Sequence, residues 1–172
     1  MPIGQSPNYI DFQRRINEKK ILIGFFGLSK TALEMAVRAA GEGFKVKCFD
    51  MRDFKLEMIR MGISFSSNVK DSELQSLVNN GMISVSSDFR QIGELDFLSM
   101  PVPPEYADNP TIYDIENMAD IVVRNMRRGL IICFENLNAK SRLKSVMDKR
   151  LTLSGFRQNW DYVFGSFSFG NC

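Results

Sequence analysis

The chain has 172 residues, of which 44% are apolar and 24% charged, with a net charge of +2. That composition suits one α/β-sized domain with a substantial core. It offers no basic patch for nucleic acid, because Lys and Arg are interleaved with Asp and Glu, and no apolar run of membrane-spanning length. Histidine is absent, which removes the commonest general base and the commonest metal ligand, and neither Cys nor Asp/Glu falls at metal-binding spacing. Three cysteines make no disulfide scaffold, and the N-terminus lacks the apolar core of a secretion signal, so a reducing, cytoplasmic setting is the expectation.

The elements alternate along the chain. Tyr9–Lys19 reads as an N-terminal helix with Tyr9, Phe12 and Ile16 on one side, so residues 1–19 form a helical extension and 20–172 the main domain. Lys20–Phe26 is a short apolar strand, and Gly27 opens a tight turn. Thr31–Glu42 has helical periodicity through Leu33, Ala36, Val37 and Ala40. Lys45–Phe49 is the second strand. Asp53–Met61 is a helix stopped by Gly62, Ser64–Asn68 a polar loop, and Asp71–Asn79 a helix stopped by Gly81. Strands follow at Met82–Ser86 and Leu95–Met100, the latter closed by Pro101. Thr111–Arg127 is a long helix, Leu130–Phe134 a buried strand, Ala139–Arg150 a basic helix and Trp160–Phe164 a last strand. The methionines of the helices, Met61, Met118, Met126 and Met147 among them, read as core or gap-filling residues. Alternation of this kind predicts a doubly wound, mainly parallel sheet with helices on both faces.

The chemistry concentrates at Lys20–Asp50. Strand, glycine turn, helix, strand and terminal acid follow in the order of a Rossmann-like dinucleotide-binding βαβ unit. The fingerprint G-x-G-x-x-G/A becomes Gly27, Ser29 and Ala32. Ser29 stands where backbone must approach a pyrophosphate, and its Cβ and hydroxyl are expected to crowd it. Lys30 adds a cation beside a helix N-terminus that already favours anions, with Thr31 next to it. Two readings remain open: a weakened nucleotide site, or a βαβ unit that holds no nucleotide. Asp50 is the candidate for the adenosine ribose diol, a choice that favours NAD over its 2′-phosphorylated relative. Glu135 ends a strand on the ligand side of such a sheet.

In its framework the chain resembles the N-terminal NAD-binding domain of the UDP-glucose/GDP-mannose dehydrogenases, with UDP-N-acetyl-hexosamine 6-dehydrogenases the most similar branch. The resemblance runs from Gly27 through Gly43-Phe44-Lys45-Val46 to Phe49-Asp50. It continues in Asp71-Ser72-Glu73-Leu74, Leu77-Val78, Gly81 and Ser86-Ser87-Asp88-Phe89. It implies NAD as cofactor, with Lys55 at a basic position after the acid. The functional positions diverge. The family's V-P-T-P becomes Met100-Pro101-Val102-Pro103, so a threonine donor is lost beside Pro101. Of the family's E-S-T-T segment only Glu135 survives, and Phe169 stands in place of its active-site glutamate. The nucleophilic cysteine belongs to the family's second half, which has no counterpart here.

The resemblance therefore implies a divergent NAD-binding-type domain with no catalytic residue of its own, no metal, and weak or absent nucleotide binding. One alternative is a fragment or subunit of an active NAD-dependent UDP-sugar dehydrogenase. Another is a protein-interaction module on the same fold. The aromatic C-terminal segment, Trp160, Phe164, Phe167 and Phe169, is the candidate surface for a protein partner or a homo-oligomer.

Overall fold

A computed structural model describes residues 7–100, 112–135, 142–159 and 161–167. Six strands form one sheet: β1 (Leu22–Phe26), β2 (Lys45–Phe49), β3 (Ile83–Val85), β4 (Phe97–Met100), β5 (Leu130–Glu135) and β6 (Tyr162–Phe167). Their order is β3-β2-β1-β4-β5-β6, and every pairing is parallel. The expected parallel strands are thus parallel, and the third and last strands join them. Parallel neighbours need crossovers, which the helices supply. These are α2 (Lys30–Gly41), α3 (Asp53–Arg60) with α4 (Asp71–Asn79), α5 (Ile112–Asn125) and α6 (Arg142–Leu153), while α1 (Pro7–Asn17) precedes the sheet. The strand order reverses direction between β1 and β4, and the crevice above that switch point is where open α/β sheets bind ligands.

Residue alternation along the strands builds a core on each face. Phe25, Val46, Cys48 and Ile83 meet Leu33, Ala36, Leu56 and Leu74 of α2, α3 and α4. Phe26, Phe49, Leu98, Ile132 and Phe134 meet Val122 of α5, Met126 just beyond its end, and Met147 and Leu151 of α6. Met118, Met126 and Met147 are buried as expected, but Met61 is 57% exposed. The eight-residue α3 buries Leu56 and Ile59, which leaves Phe54 exposed, and Met61 caps its C-terminus in the open. Residues 90–94, which show no periodicity, belong to a 3-10 helix, Phe89–Glu94, capped by the Asp88 carboxylate accepting from Arg90 N–H.

Charged residues join elements. Asp96, only 5% exposed, accepts from Arg15 of α1 and Arg127, both at 2.7 Å, and from Leu22 N–H at 3.0 Å. It therefore fastens α1 to the lower edge of the sheet. Arg128 reaches the buried Asp161 at 3.4 Å. Arg150 of α6 pairs with Asp120 at 2.7 Å and Glu116 at 3.3 Å on α5. Phe164 packs against Phe134 and Tyr162 at 5.3 and 5.0 Å between ring centres, so this ring of the aromatic tail belongs to the core. Trp160 and Phe169 lie outside the described residues.

Candidate functional site

Gly27 follows β1 directly with φ of 91°, a left-handed conformation open to glycine at little cost. Its N–H donates to Phe49 O at 3.0 Å, which holds the turn against the end of β2. Leu28 is buried, and the chain then enters α2.

Ser29 is the N-cap of α2, in extended backbone with φ of −78° and ψ of 171°. Its Oγ turns inward and accepts from Ala32 N–H at 2.9 Å. The hydroxyl is thus engaged by its own helix, while the Cβ stays on the turn. The cap reaction costs the helix N-terminus one of its orphan donors. Among the described residues, the N–H groups of Lys30 and Thr31 take part in no backbone hydrogen bond that closes the turn. Both residues are exposed, so two amide donors and the Lys30 ammonium remain on the anion-binding end of the helix.

Asp50 lies 3% exposed at the end of β2. Its carboxylate accepts from Leu28 N–H at 2.6 Å, across the glycine turn. It also accepts from Arg52 N–H at 2.8 Å, from Arg52 Nε at 2.9 Å and from Arg52 Nη2 at 3.3 Å. The local Asx turn explains why Arg52 returns to the acid two residues before it. Lys55, one turn into α3, donates its ammonium to Leu28 O and stands 5.1 Å from the Phe65 ring centre. Burial lowers the Lys55 pKa, the Arg52 charge lowers it further, and Asp50 opposes both.

The candidate residues thus meet in one place. Gly27, Ser29, Lys30, Thr31 and Ala32 form the turn and helix start, while Asp50 and Lys55 grip the same turn through Leu28. Glu135 ends β5 on the same upper edge of the sheet, one strand beyond β4. Pro101, like Val102 and Asn136–Asn138, lies outside the described residues. Two residues were missed by the sequence reading. Arg52 was one, and its only signal is its position two residues after the acid. The other is Asn117 of α5, whose Nδ2 lies 3.4 Å from Met51 Sδ and so links α5 to the end of β2. Glu34 of α2 accepts from Ser66 Oγ and, at 3.0 Å, from Asn68 Nδ2, which holds the Phe65 loop against the helix. An open depression on the flank of α2 is lined by Thr31, Glu34, Met35 and Arg38, and of the candidate residues it contains Thr31 alone.

Among the described residues, no group of three His, Cys, Asp or Glu side chains is placed to hold a metal, and no helix is long and apolar enough to cross a membrane.

No protein-family model matches the sequence, and no curated protein matches it. Solved structures do. UDP-D-ManNAc dehydrogenase from Pyrococcus horikoshii is 19% identical with a TM-score of 0.70, over 87% of this chain and 37% of that one. NDP-N-acetyl-D-galactosaminuronic acid dehydrogenase from Methanosarcina mazei is 20% identical with a TM-score of 0.68, over 90% and 36%. GDP-mannose dehydrogenase from Pseudomonas aeruginosa is 19% identical with a TM-score of 0.67, over 84% and 35%. The chain spans little more than a third of the length of these neighbours. Likeness at this identity is likeness of fold: the chain has the Rossmann-type architecture found within the nucleotide-sugar dehydrogenases.

Proposed function

We propose that the chain is a divergent dinucleotide-binding-type domain that takes an adenine dinucleotide or an ADP-containing fragment weakly, and that performs no dehydrogenation by itself. The observation that carries this reading is the Gly27–Ala32 turn at the β1/β4 switch point. There a positive-φ glycine leads into a helix whose first amides, at Lys30 and Thr31, face no backbone acceptor among the described residues. Such an end attracts a diphosphate through N–H donors and the helix dipole together.

Weakness follows from the same geometry. Ser29 occupies the Ala32 amide, and Asp50 is already bonded to Leu28 and Arg52. A ligand must displace protein contacts that are already satisfied. The expected affinity is on the order of hundreds of micromolar, about −5 kcal/mol. Absence of turnover by these 172 residues rests on Phe169 at the position of the family's glutamate and on Val102 in place of its threonine.

The test is a titration of the 15N-labelled chain with NAD and with ADP. Shifts concentrated on the amides of residues 27–32 support the reading. Saturating shifts confined elsewhere, or none at millimolar ligand, overturn it and leave the fold as an interaction module. NAD reduction in the presence of UDP-glucose or UDP-N-acetylglucosamine, abolished by a substitution in this chain, overturns the claim of no catalysis.

A further inference from the structure

Large apolar side chains left in water gather on one side of the molecule. Among the described residues seven are exposed, and four of them lie between positions 51 and 63: Met51 at 38%, Phe54 at 59%, Met61 at 57% and Ile63 at 40%. The others, Ile10, Leu153 and Val163, are scattered singly over α1, α6 and β6. Single exposed residues are ordinary, whereas a cluster marks a contact surface. Phe54, the half-buried Met58 and Met61 stand at i, i+4 and i+7. They form one stripe along α3 and its C-cap, about 10 Å long, on the side away from the buried Leu56 and Ile59. Met51 and Ile63 extend it at either end.

The charges beside the stripe have a direction. Asp53 opens α3 and Arg60 closes it, both exposed, with Glu57 between them bound to Arg60. An identical helix laid antiparallel about a two-fold axis near Met58 sets Phe54 of each copy against Met61 of the other. On the neighbouring flank it sets Asp53 of each copy opposite Arg60 of the other. Glu57 meets its own image near the axis, with Arg60 beside it as counter-charge. A parallel arrangement would put like charges side by side and align the helix dipoles unfavourably.

We infer that the α3 stripe is a self-association surface whose occupant is a second copy of this chain, in an isologous, antiparallel α3–α3 contact. Unbranched methionine side chains adapt to such packing. The face is smaller than the ~800 Å² per partner of a standard interface. The dimer is therefore weak, with Kd on the order of 10–100 µM. The inference is independent of nucleotide binding, because none of these residues belongs to the glycine turn or to its ties at Asp50 and Lys55.

Sedimentation equilibrium of the full chain from about 5 to 500 µM brackets that Kd. Wild type is expected to pass from monomer to dimer and no further. Phe54→Ser, at a side chain already in water, should weaken the dimer at least about tenfold and leave Tm unchanged. Asp53→Arg and Arg60→Asp each oppose like charges in a homodimer, so each alone should stay monomeric. Mixed in equal amounts, they place two opposite-charge pairs across the axis and should dimerise, a rescue that charges acting only within one helix cannot produce. Wild type that stays monomeric over this range overturns the inference and leaves the stripe to a partner of another kind. Growth past a dimer overturns it, as does a Phe54→Ser chain that dimerises like wild type. So does a mixture that stays monomeric where wild type dimerises.

Discussion

Replacing Ser29 separates two ways in which one serine weakens a phosphate site. The hydroxyl accepts from Ala32 N–H at 2.9 Å, so it removes a donor from the helix end; its Cβ also occupies space on the turn. Ser29→Ala deletes the cap and keeps the Cβ, whereas Ser29→Gly deletes both. Loss of a serine cap to alanine costs about 1 kcal/mol, and to glycine only a few tenths. For a chain of this size that is roughly 2–4 °C in Tm for alanine and less for glycine. A freed amide that donates to a phosphate oxygen gains about 1.5 kcal/mol, close to tenfold in Kd. If the stolen amide dominates, both variants should bind ADP about tenfold more tightly by calorimetry. If crowding by the Cβ dominates, only Ser29→Gly should tighten. Weaker binding by both, in chains that still melt cooperatively, would refute the placement of the phosphate on this helix end.

Three further outcomes test the framework. Asp96→Asn should lower stability by about 2–3 kcal/mol, because it strips the charge from a buried acceptor of Arg15, Arg127 and Leu22, and thermal melting reads this as a fall of several degrees. Burial alone would raise the Asp96 pKa, but the Arg15 hydrogen bond, the Leu22 amide and the two arginine charges hold it below its usual value. Its contribution is therefore complete above the unfolded carboxyl range near 3.9 and lost as pH falls through the lower folded value, so the variant should show a flatter acid limb. Gly24→Ala places a Cβ 2.2 Å from Leu95 Cδ1, and the repacking should cost about 1–3 kcal/mol in urea unfolding; an unchanged midpoint would show that Leu95 moves freely. Burial pushes the Cys48 thiol up to about 12, so mass mapping after treatment with a thiol reagent at pH 8 should find Cys48 unmodified in the folded chain and modified in denaturant.

Elements with marked ends could be read closely from the sequence. The second strand and the Asp71–Asn79 helix match the expectation residue for residue, because Gly43, Asp50 and Gly81 bound them chemically. The 3-10 helix Phe89–Glu94 was missed, since six residues are too few to show a period. Ends of strands were overestimated at Met82–Ser86 and Leu95–Met100, where the apolar Met82 and Leu95 lie before the first ladder residue. For the site, the turn and the acid were legible from their order alone. Which partners the side chains take was not. The Ser29 hydroxyl could have faced outward or back to its own helix, and capping decides for the helix. Arg127 and Asp96 are 31 residues apart, and Arg15 and Asp96 are 81 apart; no local pattern announces such pairs.

Asp50 shows why a fingerprint residue is weaker evidence than its motif implies. In a nucleotide site the acid is accounted for by the ribose. Here its presence is also accounted for by the fold: it ties the end of β2 to Leu28 in the turn after β1, while Gly27 N–H returns a bond to Phe49 O. The two strands and the turn are cross-linked by these bonds without any ligand. Lys55 adds a third tie through Leu28 O. A buried carboxylate without such donors would be costly, so the donors are a condition of its place in the core edge rather than an accessory. The acid can therefore persist for structural reasons, whatever ligand chemistry lies above it.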